Sequence, residues 1–403
     1  MKLSVTHQYE LRLGMKLTKI SIAAAIFAST LVNAHAQVAS EFEGLTYKSG
    51  LNSVKLYGLL EADLVHKTNA NAAGQALTTF STPWFSGSRW GISGSRGLGD
   101  NDLKAIFKLE SEYNLATGAE DTAGVLFNRG AWLGVESKEL GKLTFGRQNT
   151  VARDFAGIYG DAYGRMKVGL DEGGFQNTNN FKNLVFYAGG ATGTRYDRGV
   201  VWKKQIDNFV VGLGAQLVES AGTANNTKTQ SVAIAYNGNG FTLAGFSTTA
   251  SVKNLNHQSS SLGGSVKLND LVRLNAGVFN YSSDQKAGLA NRKDNASTVS
   301  VLLTPKGKTD YALGYVTMNA KNAAQDSSGY VYNAYADNSG SSANVLANGK
   351  RNTVYASAMY HWDKATDFYV VMDKLTLRDG WGDKGANGKT SQTAYGVGMR
   401  FRF

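Results

Sequence analysis

Residues 53–64 read SVKLYGLLEADL, and two kinds of side chain alternate along this stretch. The even-numbered positions carry Val, Leu, Gly, Leu, Ala and Leu, whereas the odd-numbered positions carry Ser, Lys, Tyr, Leu, Glu and Asp. Side chains of a β-strand point to opposite faces with a period of two residues, whereas those of an α-helix repeat every 3.6 residues. The stretch therefore predicts a β-strand with one apolar face and one mostly polar face.

The same alternation returns along the whole chain. At its end, Tyr395, Val397 and Met399 alternate with small or basic residues up to the terminal Phe403. The segments that fit the pattern number sixteen: 52–64, 87–96, 102–114, 127–136, 141–148, 195–205, 208–218, 229–237, 240–250, 258–268, 271–281, 294–304, 309–319, 351–362, 367–377 and 391–403. Single-chain bacterial barrels have an even number of strands, so we assign a further apolar stretch, Asn183–Tyr187, to a loop.

The connections between these segments alternate in length. The long ones are 65–86, 115–126, 149–194, 320–350 and 378–390. Short turns at one end and long loops at the other are typical of outer-membrane barrels. A soluble β-sandwich would also alternate, but its turns would be richer in proline, and this chain has only two prolines. Aromatic residues near the strand ends also suit a lipid interface: Tyr311, Tyr315, Tyr360, Tyr369, Tyr395 and Phe403. We therefore predict an all-β protein, a 16-stranded antiparallel transmembrane β-barrel over residues 37–403, with a water-filled lumen.

The first 36 residues have the features of a secretory signal peptide. Lys16 and Lys19 precede an apolar run from Ile20 to Val32, and the motif Ala34-His35-Ala36 follows. A basic segment, a short apolar segment and an A-x-A site together direct a chain into export. We predict cleavage after residue 36. Met15 begins a complete signal by itself and is therefore a second candidate for the start.

Composition excludes several kinds of site. The chain has 403 residues with 42 Lys and Arg against 31 Asp and Glu, a net charge of +11. The predicted signal holds four basic residues and one acidic residue, so the mature chain has 38 against 30, or +8. The absence of Cys excludes disulfides and thiolate metal sites. No G-x-S-x-G or H-E-x-x-H motif occurs, and His66, His257 and His361 of the mature chain are far apart. We therefore expect no metal, no cofactor, no catalytic site and, without a Lys/Arg run, no nucleic-acid partner.

Five stretches follow one another in order along the mature chain: SVKLYG (53–58), SRWGISGS (88–95), LKAIFKLE (103–110), LTFGRQ (143–148) and MRFRF (399–403). In this order they resemble the general porins of Gram-negative bacteria, the trimeric sixteen-stranded type common in β-proteobacteria. The resemblance implies passive diffusion of small hydrophilic solutes through a homotrimer in the outer membrane, in contact with lipid and lipopolysaccharide. It also implies that Phe403 is the signal recognised by the outer-membrane barrel assembly machinery.

The resemblance further implies how the pore is narrowed. In the family, a third loop folds into the lumen and its acidic residues face Arg and Lys on the barrel wall. The third loop here is 149–194. The matching wall residues are Arg89, Arg129, Arg147 and Arg195, with Lys55 and Lys104 as weaker candidates on polar strand faces. The matching loop residues are Asp154, Tyr159 and Asp161, with Asp171 and Glu172 as further candidates.

Alternation alone does not place Arg147 in the lumen. With Leu143 and Phe145 facing outwards, Arg147 also faces lipid, where an arginine at the membrane midplane costs roughly 2–4 kcal/mol. Either a bulge at Gly146 returns Arg147 to the lumen, as the resemblance implies, or Arg147 lies at the rim. For each wall arginine, the alternative is a solvated rim charge or a contact with lipopolysaccharide.

The charge balance predicts a mild anion preference. Two unit charges about 8 Å apart interact by roughly 2 kcal/mol at an effective dielectric constant near 20, which biases ion flux without tight binding. The mature chain carries +8, and four arginines are candidates for the wall. Three other functions stay open: a substrate-specific channel of the same architecture, an outer-membrane enzyme, and an adhesin that uses the loops 65–86 and 320–350.

Overall fold

The structure is a computed structural model that describes residues 44–80, 84–99, 102–175, 193–217, 228–252, 255–285, 290–324, 346–379 and 389–403. The predicted signal peptide 1–36 with Met15, and the stretch Asn183–Tyr187, lie outside the described residues. Within the described ranges, no helix has the length and apolar character needed to cross a membrane.

The described residues form eighteen β-strands and one short helix. The strands are β1 (Leu45–Ser49), β2 (Asn52–Lys67), β3 (Leu77–Phe80), β4 (Ser88–Gly97), β5 (Lys104–Tyr113), β6 (Gly130–Ser137), β7 (Gly141–Asn149), β8 (Arg195–Ile206), β9 (Phe209–Gln216), β10 (Lys228–Asn237), β11 (Phe241–Val252), β12 (Leu255–Lys267), β13 (Val272–Ser283), β14 (Arg292–Leu303), β15 (Thr309–Ala324), β16 (Leu346–His361), β17 (Thr366–Arg378) and β18 (Ser391–Arg402), and the helix is α1 (Val151–Ala156). Sixteen of these strands coincide with the sixteen predicted segments, which confirms the predicted barrel. The short strands β1 and β3 are additional.

The sixteen long strands of the described chain form one closed antiparallel ring. Each pairs with its neighbours in the sequence, and β18 returns to β2. The first part of β2, from Asn52 to Leu59, pairs with β4, and its second part, from Leu59 to Lys67, pairs with β18. β1 pairs with the first part of β2 along the edge that β18 leaves open, and β3 pairs with its second part along the edge that β4 leaves open. The backbone groups are therefore satisfied from strand to strand, as a hydrocarbon environment demands.

Side-chain exposure alternates along the strands as the sequence predicts. On β2, Leu64 is 56% exposed, whereas Glu61 and Asp63 are 0% and 2% exposed. On β18, Phe401 is exposed and Arg400 is buried. The apolar face therefore points out towards lipid, and the polar face points into the lumen.

The predicted aromatic girdle needs one correction. Tyr311 and Tyr315 are exposed on the outer face. Tyr369 is only 1% exposed, and its hydroxyl donates to Glu61 Oε1 inside the barrel at 3.0 Å. Its placement in the girdle was wrong because Phe368 and Tyr369 are adjacent aromatic residues, so composition does not show which of them faces lipid.

The ladder between β7 and β8 is irregular at Gly146. Gly146 pairs with Gly199, but Gln148 pairs with Tyr196, so β8 contains one more residue than β7 in this interval. The ladder that joins β7 to β6 is regular. Gly146 has φ +127°, and a Cβ there would lie 2.2 Å from the carbonyl oxygen of Ala131. A side chain is therefore excluded both by backbone conformation and by space.

We expect Gly146→Ala to destabilise the barrel, because both the strained φ and the clash with a backbone carbonyl act against it, at a cost of about 1–3 kcal/mol. The matched control is Gly130→Ala, whose Cβ would meet no atom closer than 3.8 Å. The measurement is the urea concentration at which refolded protein loses its folded band on an unheated gel. Equal urea midpoints for Gly146→Ala and Gly130→Ala would contradict the conclusion that a side chain is excluded at Gly146.

Candidate pore constriction

A short helix turns the chain into the lumen directly after β7. Thr150 caps α1, with its side-chain oxygen accepting the N–H of Arg153. The buried face of α1 packs against the inner side of β9 to β12. The ring of Phe155 lies over Gly212, where a Cβ would come within 2.9 Å of it. The glycine on the wall thus gives the helix room to lie flat.

Beyond α1, the third loop follows the inner wall as far as β16. The hydroxyl of Tyr159 lies 2.8 Å from Ser261 Oγ on β12. The hydroxyl of Tyr163 lies 2.8 Å from Ser357 Oγ on β16. These bonds hold the described part of the third loop, residues 150–175, inside the barrel.

A network of ion pairs connects the third loop to β5. Arg129, directly before β6, pairs with Glu110 at 2.5 Å and also with Glu112. Lys108 pairs with Glu110 at 3.0 Å and with Glu172 at 2.7 Å. Glu172 belongs to the third loop, whereas Lys108, Glu110 and Glu112 lie on the lumen side of β5. The return segment of the loop is therefore pinned to the wall.

Three more arginines extend this network. Arg89 stands directly opposite Glu112 in the β4–β5 ladder. Arg195 donates from Nε to the carbonyl oxygen of Arg129 at 2.9 Å. Burial and the neighbouring Arg129 lower the pKa of Arg153 on α1. We call the full set the charged cluster: Arg89, Lys108, Arg129, Arg153 and Arg195 with Glu110, Glu112 and Glu172.

The charged cluster contains three of the predicted wall cations, Arg89, Arg129 and Arg195. Lys55 and Lys104 lie on the lumen face but near the strand ends at the short turns, since Lys104 is the first residue of β5 and Lys55 the fourth of β2. At a rise of about 3.3 Å per residue, Lys104 lies roughly 13 Å along β5 from Lys108, the lysine that belongs to the charged cluster. The alternation thus predicts that Lys55 and Lys104 face the lumen, but it does not predict how far along the pore each of them lies.

Arg147 lies on the outer face, at the rim. It shares a face with Phe145, which is 51% exposed, because the regular ladder to β6 carries the alternation through Gly146. Its guanidinium pairs with Asp197 and donates to the carbonyl oxygen of Asn128 at 2.6 Å. The hypothesis that a bulge at Gly146 returns Arg147 to the lumen requires a register shift, and the β7–β8 ladder has one at this position. The extra residue is on β8, however, so it does not turn Arg147 into the lumen.

The acidic loop residues that the resemblance places opposite the arginines lie elsewhere. Asp154 pairs with Lys203 of β8 and is 5% exposed. Asp161 and Tyr159 are both 0% exposed, and Asp161 accepts the N–H of Tyr163 at 2.8 Å. These carboxylates are therefore buried under the loop: among the described residues, Asp161 has no recorded pair with a predicted wall arginine, and Asp154 meets the charged cluster only through the neighbouring Arg153. The turn of α1 and the contact of Asp154 with Lys203 on the wall decide where these acids lie. Neither can be predicted from the positions of the acids in the sequence.

The two further loop candidates both pair with wall lysines. Asp171 lies 2.9 Å from Lys142, which lowers the pKa of Asp171. Burial opposes ionisation of Glu172, but Lys108 and the N–H of Asn149, 2.9 Å away, outweigh it and lower the pKa of Glu172 to about 2. Glu172 is thus the loop carboxylate that belongs to the charged cluster.

Sequence reasoning missed the acidic partners of the wall arginines. Lys108, Glu110 and Glu112 occupy alternate positions of one predicted strand, on its polar face. Three charged residues at this spacing must all project into the lumen. That signal was available in the sequence and would have identified β5 as the central strand of the site.

The end of the first long connection also lies in the lumen, although the sequence analysis assigns 65–86 to an external loop. The N–H groups of Phe85 and Ser86 donate to the Glu61 carboxylate at 2.7 and 3.0 Å. The N–H of Trp84 donates to Asp63 at 2.9 Å. Three successive backbone groups are therefore held by two buried carboxylates of β2.

Phe85 connects residues 84–86, at the end of the first long connection, to the third loop. Its ring centroid lies 5.3 Å from that of Tyr163 and 4.9 Å from that of Tyr369, both at nearly perpendicular angles. The guanidinium of Arg400 lies over the same ring at 5.5 Å. Edge-to-face aromatic pairs add about 0.5–1.5 kcal/mol beyond their buried area. The lumen is therefore narrowed by two chain segments that touch each other.

Comparison with known proteins identifies the family. Residues 21–380 match the family of Gram-negative porins. The chain belongs to this family. An outer membrane porin protein of Bordetella pertussis is 33% identical over 150 residues, which are 34% of this chain and 38% of that protein. The matched stretch therefore spans little more than a third of that relative.

Solved structures show the same barrel at low sequence identity. An anion-selective porin from Comamonas acidovorans has a TM-score of 0.62 and 18% identity, over 87% of this chain and all of the other. OmpT of Vibrio cholerae, in its trimer form, has a TM-score of 0.60 and 14% identity, over 88% of this chain and all of the other. The porin is thus a β-barrel of the bacterial outer membrane.

The bridge between Lys108 and Glu172 should hold over a wide pH range. The pKa of Glu172 falls from 4.5 to about 2 in the folded porin, so the stabilisation is complete above pH 4.5 and is lost as the pH falls through about 2. We expect the difference in single-channel conductance between the wild type and Glu172→Gln to be constant from neutral pH down to about pH 4 and to disappear only below that. A transition centred at the ordinary carboxyl pKa would contradict this.

Removing the Phe85 ring should widen the pore. Phe85→Ala deletes the contact with the third loop, and such a truncation in a packed site costs about 3–5 kcal/mol locally, enough to release the segment. We expect a larger single-channel conductance and faster uptake of large sugars into liposomes. Phe145→Ala, which removes the same ring from the lipid face, is the control and should leave both unchanged. Wild-type conductance of a folded Phe85→Ala variant would show that the segment does not limit the pore.

Proposed function

We propose that the porin forms a water-filled channel for passive diffusion of small hydrophilic solutes and ions, with a mild preference for anions. The observation that carries this proposal is the charged cluster beside the third loop. It holds five cations and three carboxylates, so its net charge is 5 − 3 = +2. A lumen with low-dielectric walls focuses such a field and raises the local concentration of anions.

The magnitude of this field fits selectivity rather than tight binding. A pair of unit charges about 8 Å apart interacts by roughly 2 kcal/mol at an effective dielectric constant near 20. Salt screens exposed charges over about 8 Å at physiological ionic strength. The cluster therefore changes the ratio of anion to cation flux several-fold and leaves solutes free to pass. The description of the Comamonas acidovorans structure as an anion-selective porin supports this reading.

We further propose that the porin is a homotrimer, as the trimer form of OmpT of Vibrio cholerae suggests. The predicted signal peptide would direct export, and Phe403 would serve as the signal for the barrel assembly machinery. Two backbone hydrogen bonds, of 2.8 and 3.1 Å, tie Phe403 to Gly58, while its ring stays 38% exposed. Lipid and lipopolysaccharide would surround the outer face.

The test is the zero-current potential of refolded porin in a planar bilayer under a salt gradient. The wild type should give an anion-directed potential. The double variant Arg89→Gln, Arg195→Gln brings the net charge of the cluster from +2 to 0 and should reduce the ratio of anion to cation permeability several-fold. Arg147→Gln removes a charge from the outer rim and should leave the potential unchanged.

Three other outcomes would change the assignment. A cation-directed potential in the wild type would indicate that the carboxylates of β5 determine the ion selectivity. Block of the current by one solute at low concentration would indicate a substrate-specific channel. Folded protein without any conductance would contradict the channel and favour an adhesin or an enzyme.

A further inference from the structure

Beyond Tyr163, the third loop carries two cations that lie outside the charged cluster. Arg165 and Lys167 are both exposed, whereas Met166 between them is only partly exposed. The sulfur of Met166 accepts a hydrogen bond from Ser265 Oγ of β12 at 3.2 Å, so this side chain is turned to the barrel wall. Because this part of the loop lies inside the barrel, the two exposed cations lie in the water of the pore.

Hydrogen bonds to β10 and β11 fix the backbone on both sides of Lys167. Thr242 of β11 donates from Oγ1 to the carbonyl oxygen of Met166 at 2.6 Å. The N–H of Val168 donates to Asn237 Oδ1 of β10 at 3.1 Å, and Asn237 Nδ2 donates back to the carbonyl oxygen of Val168 at 2.9 Å. The position of the two cations is therefore set by the wall and not by the loop alone.

These contacts place Arg165 and Lys167 at the periplasmic end of the pore. Asn237 is the last residue of β10 and Thr242 the second of β11, on either side of a short turn, and short turns face the periplasm in outer-membrane barrels. The charged cluster lies at the other end, since Arg195 is the first residue of β8 and follows a long connection. The twelve residues of β8 span roughly 25 Å along the pore axis at a rise of about 3.3 Å and a tilt of about 45°. Salt screens exposed charges over about 8 Å, so the two ends act separately on ions.

The charge balance at the periplasmic end is positive. Lys142 of β7 holds Asp171 at 2.9 Å, and Lys142 and Arg165 both lower the pKa of Asp171. Within the described ranges of the chain, Lys167 forms no ion pair. The charged side chains at this end leave a net charge of 4 − 2 = +2 and are Lys104, Lys142, Arg165 and Lys167 with Glu136 and Asp171.

The two loop cations fit a small divalent oxyanion. Arg165 and Lys167 are two residues apart, so their Cα atoms are at most about 7 Å apart and both long side chains can reach one ligand. A guanidinium offers parallel N–H donors to two oxygens, and an ammonium supplies donors to a further oxygen. Chloride has neither the second charge nor the several acceptor atoms. Because both side chains are exposed, the contacts are weak and the ion can pass on.

We propose that Arg165 and Lys167 form a second anion site, at the periplasmic mouth of the pore, which takes small divalent oxyanions such as inorganic phosphate. The inference rests on the proposed function, since only an open channel delivers anions to this site. An oxyanion that has passed the charged cluster meets the second site before it reaches the periplasm. The two sites lie in series, so the preference for such anions is exerted twice without tight binding at either place.

The test is the chloride conductance of refolded full-length mature porin in a planar bilayer, at mildly alkaline pH where phosphate is divalent. The medium is about 0.1 M KCl, in which charges act over about 10 Å. Phosphate that occupies the site slows chloride, so the conductance should fall as phosphate is added. Arg165→Gln, Lys167→Gln should raise the half-maximal phosphate concentration about fivefold or more. The matched control Lys204→Gln, Lys374→Gln removes two cations from the outer face, next to the buried Lys203 and Asp373, and should leave this concentration unchanged.

A cysteine at position 167 tests the side chain directly. The chain has no Cys, so a thiol reagent reacts only with the Lys167→Cys variant. A positively charged methanethiosulfonate should restore the effect of phosphate on the conductance, whereas a negatively charged one should abolish it and lower the chloride conductance. The two adducts differ in charge, so this comparison separates an anion site from a purely structural role of Lys167.

Three results would overturn the second site. They are a wild-type conductance that does not respond to phosphate, equal half-maximal phosphate concentrations for the wild type and Arg165→Gln, Lys167→Gln, and equal conductance after the two thiol reagents. If the double variant does not fold, the single variant Lys167→Cys decides between the outcomes. A porin that conducts anions and gives any of these results refutes the second site alone. Folded protein without conductance refutes the proposed function instead, so the two failures are distinct.

Discussion

Closure of the backbone hydrogen bonds at β2 is the constraint on which the rest of the structure depends. A strand edge in hydrocarbon leaves N–H and C=O groups without water, so the sheet must return to its own first strand. β2 achieves this by pairing with β4 along its first half and with β18 along its second half. Once the ring is closed, alternate side chains are committed to lipid or to water. The charged residues that the alternation directs inwards must then find their partners in the lumen.

The lumen is too wide to be filled by strand side chains alone, so loop segments fill part of it. The third loop lies on glycines of the wall and is held by tyrosine hydroxyls, while residues 84–86 are held by Glu61 and Asp63. A buried pair such as Asp154 with Lys203 adds little net stability, because desolvation of two charges offsets their attraction. Its effect is to specify one path for the loop, since any other path would leave a charge without a partner.

The barrel was predictable from the sequence because strand alternation is a local signal that repeats. Sixteen segments, their order and their lipid-facing residues all follow from a period of two. The site was less predictable because it depends on height along the strand and on the path of the loop. Lys104 and Lys108 share a face of β5, yet only Lys108 reaches the charged cluster. Asp154 and Glu172 are both acids of one loop, yet contacts distant in sequence direct them to different lysines.

The same closure separates the charges of this porin into two populations with different partners. Inside the barrel, cations and carboxylates lie within reach of one another, and the small excess of positive charge remains for permeating ions. Outside, exposed cations such as Lys293 and Lys321 lie on the face of the sheet turned away from the permeating ions. A positive net charge therefore does not by itself predict anion selectivity. Only the fraction that the alternation directs into the lumen acts on the ions, and the register of each strand decides that fraction.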